Sequence, residues 1–568
     1  MTATATNPKT SGPTDPLSPE ILSCAAANGA PTGIFSASLL SHAMGTYLPA
    51  TVAVRAVNLV RILLLTWWMS QQQFGLLAMI LFTINVMTPL CSLGLNEAIA
   101  RYVPQHEARG TLRPFTWRSA GLLLAVTVVS VLLMVAFSST LGVFFYAQVF
   151  TDPEVFREFS ADAAPLAQLS AAVIGLLIAY FFLLAVFKGL RMFTALAVIE
   201  LVSSLLFLAG SLVAKLTGHL SAFTMTGMYG ISLAIPIACF GLGLARSLGR
   251  WRSQHRSMGS MPLRRTLLRF SIWTTLAGVT WQILVIYPAW FLNKVHGNEA
   301  VGVFSAVRQV GQFVLLGAVA VTTVVMSTVT NTWESRGREA AQRQLSLAFR
   351  GTGLGLLLIC TVGALARNIV VRMFSPGYAA GADILPLQFL FFLIGSYLAF
   401  LPIHFHLIEK TRHMFWPWAI GVAANVLYAI WLASPRLADV QDLACWKAIA
   451  PIASAIFVTG FSDPQGLDGA AWCGVFAIAT ALILCIVLIR TECTRMDRGT
   501  YIVIASAALL TAKTWILGIG VVALLVLALK TTLIFSPDER TRIMGYVVGS
   551  LRHIPPFRML GKRGHGTR

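Results

Sequence analysis

Apolar runs long enough to cross a membrane recur along this chain, separated by short polar segments. A hydrocarbon core of about 30 Å takes roughly 20 helical residues to cross. The runs are continuous rather than alternating, so they predict membrane helices and not the strands of a barrel. In order they place helices at about 44–69, 75–99, 119–149, 163–187, 193–215 and 224–246. A second set follows at about 267–291, 300–329 and 347–372, then one ending near Leu407, then 414–433 and 467–489. The stretch 500–535 is long for one crossing and short for two; a split near Lys513 gives two short helices, and about fourteen in all.

The segment Gln71–Gly110 reads as a short outer turn, a buried apolar helix and a basic inner loop. A weaker copy lies roughly 227 residues further on. At that one offset Gly75 falls on Gly302, Glu107 on Glu334, Arg109 on Arg336 and Gly110 on Gly337. Two halves related by an internal repeat, as in many transporters, are the expectation. The organisation predicted is a disordered cytoplasmic tail (1–40), a six-helix lobe (41–247) and a basic cytoplasmic linker (248–266). A second six-helix lobe (267–489), two additional short helices (490–535) and a basic cytoplasmic tail (536–568) follow.

Composition fits an integral membrane protein: 57% of residues are hydrophobic and 11% charged, against about 25% charged in soluble domains. A net charge of +20 would suggest nucleic acid in a soluble protein. Here roughly three-quarters of the basic residues fall on one side if the N-terminus is placed inside, as the positive-inside rule requires. A multi-pass protein with both termini cytoplasmic and no nucleic-acid partner is expected. The N-terminal segment lacks the basic region and apolar core of a signal peptide. The eight cysteines are scattered without CxxC spacing and read as small buried thiols; a Cys445–Cys473 pair across an outer loop is the alternative.

Charges within the spans carry the most information, because each costs roughly 2.5–3.5 kcal/mol or more in hydrocarbon and tends to face a cavity or water. Arg55, Asn58 and Arg61 on helix 1 step by three, each about 60° back around the helix, and form a slanting polar stripe. Arg308 and Gln309 lie on helix 8, Gln282 on helix 7 and Glu200 on helix 5. The expected substrate-facing set is Arg55, Asn58, Arg61, Gln282, Arg308 and Gln309. Arginine suits phosphate because its planar fork donates two parallel hydrogen bonds. Against this stands a purely structural reading, in which the arginines snorkel or pair within the protein. Glu200 is either an ion-coupling acceptor or a fixed partner of an arginine. His404 and His406, two apart on a helix, point different ways, so no shared metal is expected. There is no P-loop, no Asp-rich outer loop and no nucleophile–base constellation. No cofactor is expected, and the chain does not read as an enzyme.

Four stretches carry a family resemblance: FGLLAMILFTINVMTPLCSLGLNEAIARYVPQHEARG, VGVFSAVRQVGQF, FSPGYAAGADILPLQFL and GLDGAAWCGVFAIAT. In order and spacing they resemble the polysaccharide (oligosaccharide) flippases of the multidrug/oligosaccharidyl-lipid/polysaccharide exporter superfamily, over about 45–535. The resemblance implies an all-α polytopic protein with two six-helix lobes around a central cationic lumen, often followed by two extra helices. It implies transfer of a polyprenyl-diphosphate-linked saccharide from the cytoplasmic to the outer leaflet of a bacterial inner membrane by alternating access. A polysaccharide polymerase or glycosyltransferases would be partners. Arg308 occupies the family's polar position on helix 8, and Arg55 and Arg61 fall where relatives often place lumen cations. The chain departs from the family in a longer loop before helix 12 and in its short final helices. Two other readings stand beside this one. An ion-coupled drug or lipid exporter of the same fold would call for an acidic or aromatic cavity. A membrane glycan polymerase or ligase would need a large outer catalytic loop. The 434–466 loop offers Arg436, Asp439, Asp442, Lys447 and Asp463 without recognisable catalytic spacing.

Overall fold

The computed structural model describes residues 40–108, 110–146, 153–190, 192–250, 263–408, 410–432, 466–492 and 496–541. The N-terminal tail, the centre of the basic linker, Arg109, nearly all of the 434–466 loop with Cys445, and the tail beyond 541 lie outside these residues. The regular elements among the described residues are helical. The first half holds α1 (Leu40–Trp68), α2 (Gln71–Ser92), α3 (Leu95–Ala108), α4 (Leu112–Ala136), α5 (Ser138–Tyr146), α6 (Pro153–Gly189), α7 (Phe193–Leu216) and α8 (Ala222–Arg250). The second holds α9 (Leu263–Arg336), α10 (Arg338–Leu365), α11 (Arg367–Arg372), α12 (Gly381–Phe400), α13 (Ile403–Leu407), α14 (Phe415–Leu432) and α15 (Leu467–Glu492). A closing pair, α16 (Arg498–Ser506) and α17 (Thr514–Lys530), follows.

Eleven helices among the described residues are long and apolar enough to cross a membrane. One of them, Ser271–Val319, bends at Gly297 (φ 78°, ψ −173°) and so makes two crossings. That backbone conformation is open to glycine and strained for other residues. The closing helices are shorter and divide at Lys513, where the sequence predicts a split.

Two expected loops turn out to be helical, and one expected helix is broken. Leu93 (φ 48°) and Gly94 (φ 61°) are both left-handed and end α2. The basic segment after them then forms α3, which buries Leu95, Ala98, Ile99 and Val103. Those positions share one helical face, a period that the charges between them conceal. Val103 packs on Gly189 at the end of α6, where a Cβ would sit 2.6 Å from it. Helix 3, expected as one element, is broken at Phe137 into α4 and α5. The loop expected at 331–344 is helix on either side of Gly337 (φ 84°).

The repeat is written into the packing. A Cβ on Gly75 would lie 1.7 Å from the carbonyl oxygen of Asn298, and a Cβ on Gly302 would lie 2.4 Å from that of Gln71. Asn298 stands at the same offset from Gln71 as Gly302 from Gly75. The contacts are therefore reciprocal, as a two-fold axis between the halves demands. The matched glycines Gly110 (φ 68°) and Gly337 (φ 84°) also share their left-handed backbone. Near the glycine crossing, Trp67 Nε1 donates to the Met373 carbonyl at 2.9 Å. Asn293 Nδ2 donates to the carbonyl of Tyr146, the counterpart of Met373, at 3.4 Å. Lys294, the counterpart of Trp67, places Nζ 3.5 Å from the Val143 carbonyl. Gln71 Nε2 donates to the Gly377 carbonyl, and Phe74 meets Tyr378 edge-on with centroids 6.1 Å apart. The halves thus close on each other at the end of the bundle that the loop charges predict to be outer.

The closing pair is held to the second half by an arginine the sequence does not single out. Arg350 on α10 donates to the Ile534 carbonyl and, at 2.8 Å, to Glu539 Oε1. It lies 3.6 Å from Asp497, with Cζ 5.4 Å from the centre of the Phe535 ring.

Two stability predictions follow from this packing. Gly75→Leu or Gly302→Leu forces a side chain into backbone; overpacking of this kind costs about 1–3 kcal/mol or more. A lowered thermal midpoint in detergent is expected for both, with none for Gly518→Ala, where a Cβ meets nothing within 4 Å. Arg350→Ala should cost about 1–3 kcal/mol. The two carboxylates it abandons are 23% and 54% exposed, which spares part of the about 3–5 kcal/mol lost when a fully buried pair is broken. Limited proteolysis should then release the segment after Lys530 sooner than in the wild type.

Candidate functional site

A cavity of about 400 Å³ lies between the halves, lined from α1, α2, α6, α7 and α8 on one side and from α9 on the other. That volume lies in the range of small-molecule sites, about 300–1,000 Å³. Six residues singled out in the sequence converge on it. Arg55, Asn58 and Arg61 line it from α1, Glu200 from α7, and Gln282 and Gln309 from the two arms of α9. The step of three along α1 keeps its polar stripe on the cavity side, and the bend at Gly297 lets both arms of one helical run reach the same space.

The cavity's electrostatics are set by two guanidinium groups and one carboxylate. The Nε atoms of Arg55 and Arg61 are buried without a hydrogen-bond partner. Arg61 rests against Phe207, its Cζ 4.0 Å from the ring centroid, so an aromatic face rather than a carboxylate supports it. Asn58 Oδ1 accepts a hydrogen bond from Ser204 Oγ at 3.3 Å, which fixes that amide. Donors without acceptors in a low-dielectric space have a strong preference for an anionic ligand.

Arg308 is placed elsewhere, which corrects the expectation that it faces this lumen. It is 1% exposed and packs between α9 and α12. Its Cζ lies 5.6, 5.1 and 5.5 Å from the ring centroids of Phe304, Phe391 and Phe392. Successive residues on a helix point about 100° apart, so Gln309 faces the cavity while its neighbour faces aromatic packing. Arg308 Nε and Nη2 have no hydrogen-bond partner there, and stacking on aromatic rings offsets part of that cost.

The cavity also holds groups the sequence reading passed over: Asn85, Ser203, Tyr229, Ser305 and Gln312. Gln312 was within reach of sequence logic, since it lies one turn from Gln309 on the same face. Asn85 sits in the otherwise apolar run of α2, a signal of the same kind as Asn58.

All of these lining positions fall within residues 43–329, which match a family described as polysaccharide biosynthesis protein. The chain belongs to that family. No match is found among curated proteins. In fold, this polysaccharide biosynthesis family member resembles solved transporters at low sequence identity. It superposes on an inward-facing multidrug resistance MATE family transporter of the MOP superfamily with TM-score 0.56 and 11% identity, covering 77% of this chain and 93% of that one. It superposes on the lipid II flippase MurJ in an inward closed conformation with TM-score 0.55 and 15% identity, covering 83% and 97%. A MOP superfamily transporter from Pyrococcus furiosus, described as having a binding pocket of reverse polarity, gives TM-score 0.56 and 12% identity, covering 80% and 94%. The two-lobe architecture predicted from the repeat is the one these structures share.

Single cysteines placed in a cysteine-free background should separate the two arginine environments. Asn58→Cys and Gln309→Cys are expected to react with a small charged thiol reagent in detergent, and Arg308→Cys to react at least tenfold more slowly. Equal rates would place Arg308 in the cavity.

Proposed function

We propose that this protein moves a polyprenyl-diphosphate-linked saccharide, a precursor of a cell-surface polysaccharide, from the cytoplasmic to the outer leaflet of a bacterial inner membrane. The observation that carries this reading is a cavity inside a transporter fold with two arginines whose Nε donors have no partner. Arg55 and Arg61 neutralise the diphosphate through paired, charge-assisted hydrogen bonds, and Asn58 adds an amide beside them. Sugars and phosphates are what hydrocarbon rejects, so they pass through the cavity while the isoprenoid tail stays in lipid. Membership of a polysaccharide biosynthesis family supports a glycan cargo. A cavity richer in arginine than in carboxylate disfavours the export of cationic drugs.

The transport step is an exchange of access between the two ends of the bundle, with the glycine crossing as the outer seal. Glu200 shares the cavity with Arg55 and is the carboxylate available to couple that exchange to a proton or cation. The termini lie in the cytoplasm, and a polymerase or glycosyltransferase handles the glycan before or after transfer.

The test is transbilayer movement of a fluorescent polyprenyl-diphosphate oligosaccharide in proteoliposomes. Protein-dependent movement is expected, slowed tenfold or more by Arg55→Ala/Arg61→Ala, since truncating one side of a desolvated charge pair costs about 2–5 kcal/mol. Absence of movement with folded protein would overturn the flippase reading; movement indifferent to the double substitution would overturn the role of the arginines.

A further inference from the structure

We infer that the two halves of the cavity read different parts of the cargo: the first half holds the diphosphate, and the second half selects a saccharide that is uncharged where it joins the diphosphate. This deepens the flippase reading above and rests on it.

The cavity wall is divided by charge along the boundary between the halves. Among the described residues, each charged side chain that lines it, Arg55, Arg61 and Glu200, comes from the first half. Among the described residues, the second half contributes Gln282, Ser305, Gln309 and Gln312 beside apolar neighbours, and no charge. Ser305, Gln309 and Gln312 are spaced four and three apart, so they form one row on the second arm of α9. Gln282 adds a third amide from the first arm.

Primary amides suit sugar hydroxyls and acetamido groups. Each offers one acceptor oxygen and two donor hydrogens, and so pairs with a hydroxyl in either sense without bringing a charge. Among the described residues, Gln282, Gln309 and Gln312 make no hydrogen bond to another protein group, in contrast with Asn58, which Ser204 engages. These three residues are half-buried, and their amides are left to water or cargo. A carboxylated sugar set against this wall would lose hydration and gain no cation in exchange, a cost that a neutral sugar escapes. Arg308, the cation nearest in sequence to this row, does not supply one, because its guanidinium is enclosed by Phe304, Phe391 and Phe392. The cations of α1 are taken up by the diphosphate.

The division predicts two separable preferences. Proteoliposomes would be offered three lipids on one polyprenyl tail: a diphosphate with a neutral N-acetylated disaccharide, a diphosphate whose first sugar is a uronic acid, and a monophosphate with the neutral disaccharide. The wild type is expected to move the first at least tenfold faster than either of the others. Gln309→Ala/Gln312→Ala should narrow the neutral-over-acidic ratio and leave the diphosphate-over-monophosphate ratio intact. Arg55→Gln/Arg61→Gln should do the reverse. Gln312→Lys, which adds a cation to the neutral wall, should raise movement of the uronic acid lipid relative to the neutral one, a gain that misfolding does not produce. Movement of the acidic and neutral lipids at equal rates, or variants that shift both ratios together, would overturn the division and leave the flippase reading standing. Movement of none of the three by folded wild type would overturn both.

Discussion

The constraint on which this architecture depends is the approach of two backbones at Gly75 and Gly302. Neither position has room for a side chain: the ideal Cβ of each falls within 2.4 Å of a carbonyl oxygen of the other half. Close approach of this kind is how membrane helices associate when lipid offers no hydrophobic drive, since it brings dispersion contacts and weak Cα–H···O interactions. Because the contact is reciprocal, one small-residue requirement is imposed twice by a single symmetry. Trp67, Gln71, Asn293 and Lys294 add hydrogen bonds to carbonyls of the opposite half around that contact. Below that crossing the helices diverge enough to leave the cavity.

Charge inside the bundle is handled in two different ways. Arg55 and Arg61 keep donors turned toward an open space, where a ligand or water serves them. Arg308 is wrapped in three phenyl rings. The cavity therefore combines contact charges on one wall with neutral hydrogen-bonding groups on the other.

Much of the fold was legible because it rests on period and length. Twelve crossings follow from the apolar runs, and the short final pair follows from the break at Lys513. The repeat was visible through four matched positions, but its physical content was not: no sequence rule says that matched glycines touch. The helical nature of α3 was hidden because Glu97 and Arg101 sit between its buried positions and read as loop. For the site, polarity within spans pointed to Arg55, Asn58, Arg61, Glu200, Gln282 and Gln309, which line one cavity. The same rule misplaced Arg308, because the partners that enclose it come from Phe391 and Phe392 on a helix distant in sequence. One sequence gives residue character along a helix, and the rotation of that helix is set by neighbours it does not name.

The connection at Gly297 has a mechanical consequence. The 74-residue run of α9 turns back on itself at one glycine, without a slack loop between its arms. In the first half only Met69 and Ser70 separate α1 from α2. Both hairpins that meet at the sealed end are therefore short-coupled: a shift of either arm is passed to the other almost undiminished. Parting of the seal carries α1 with α2, and the first arm of α9 with the second, as two coupled pairs. The compliance for that swing comes from interruptions along those helices: Pro49 in α1, Pro89 in α2, Pro288 in the first arm of α9, and the left-handed Leu93 and Gly94 that break α2.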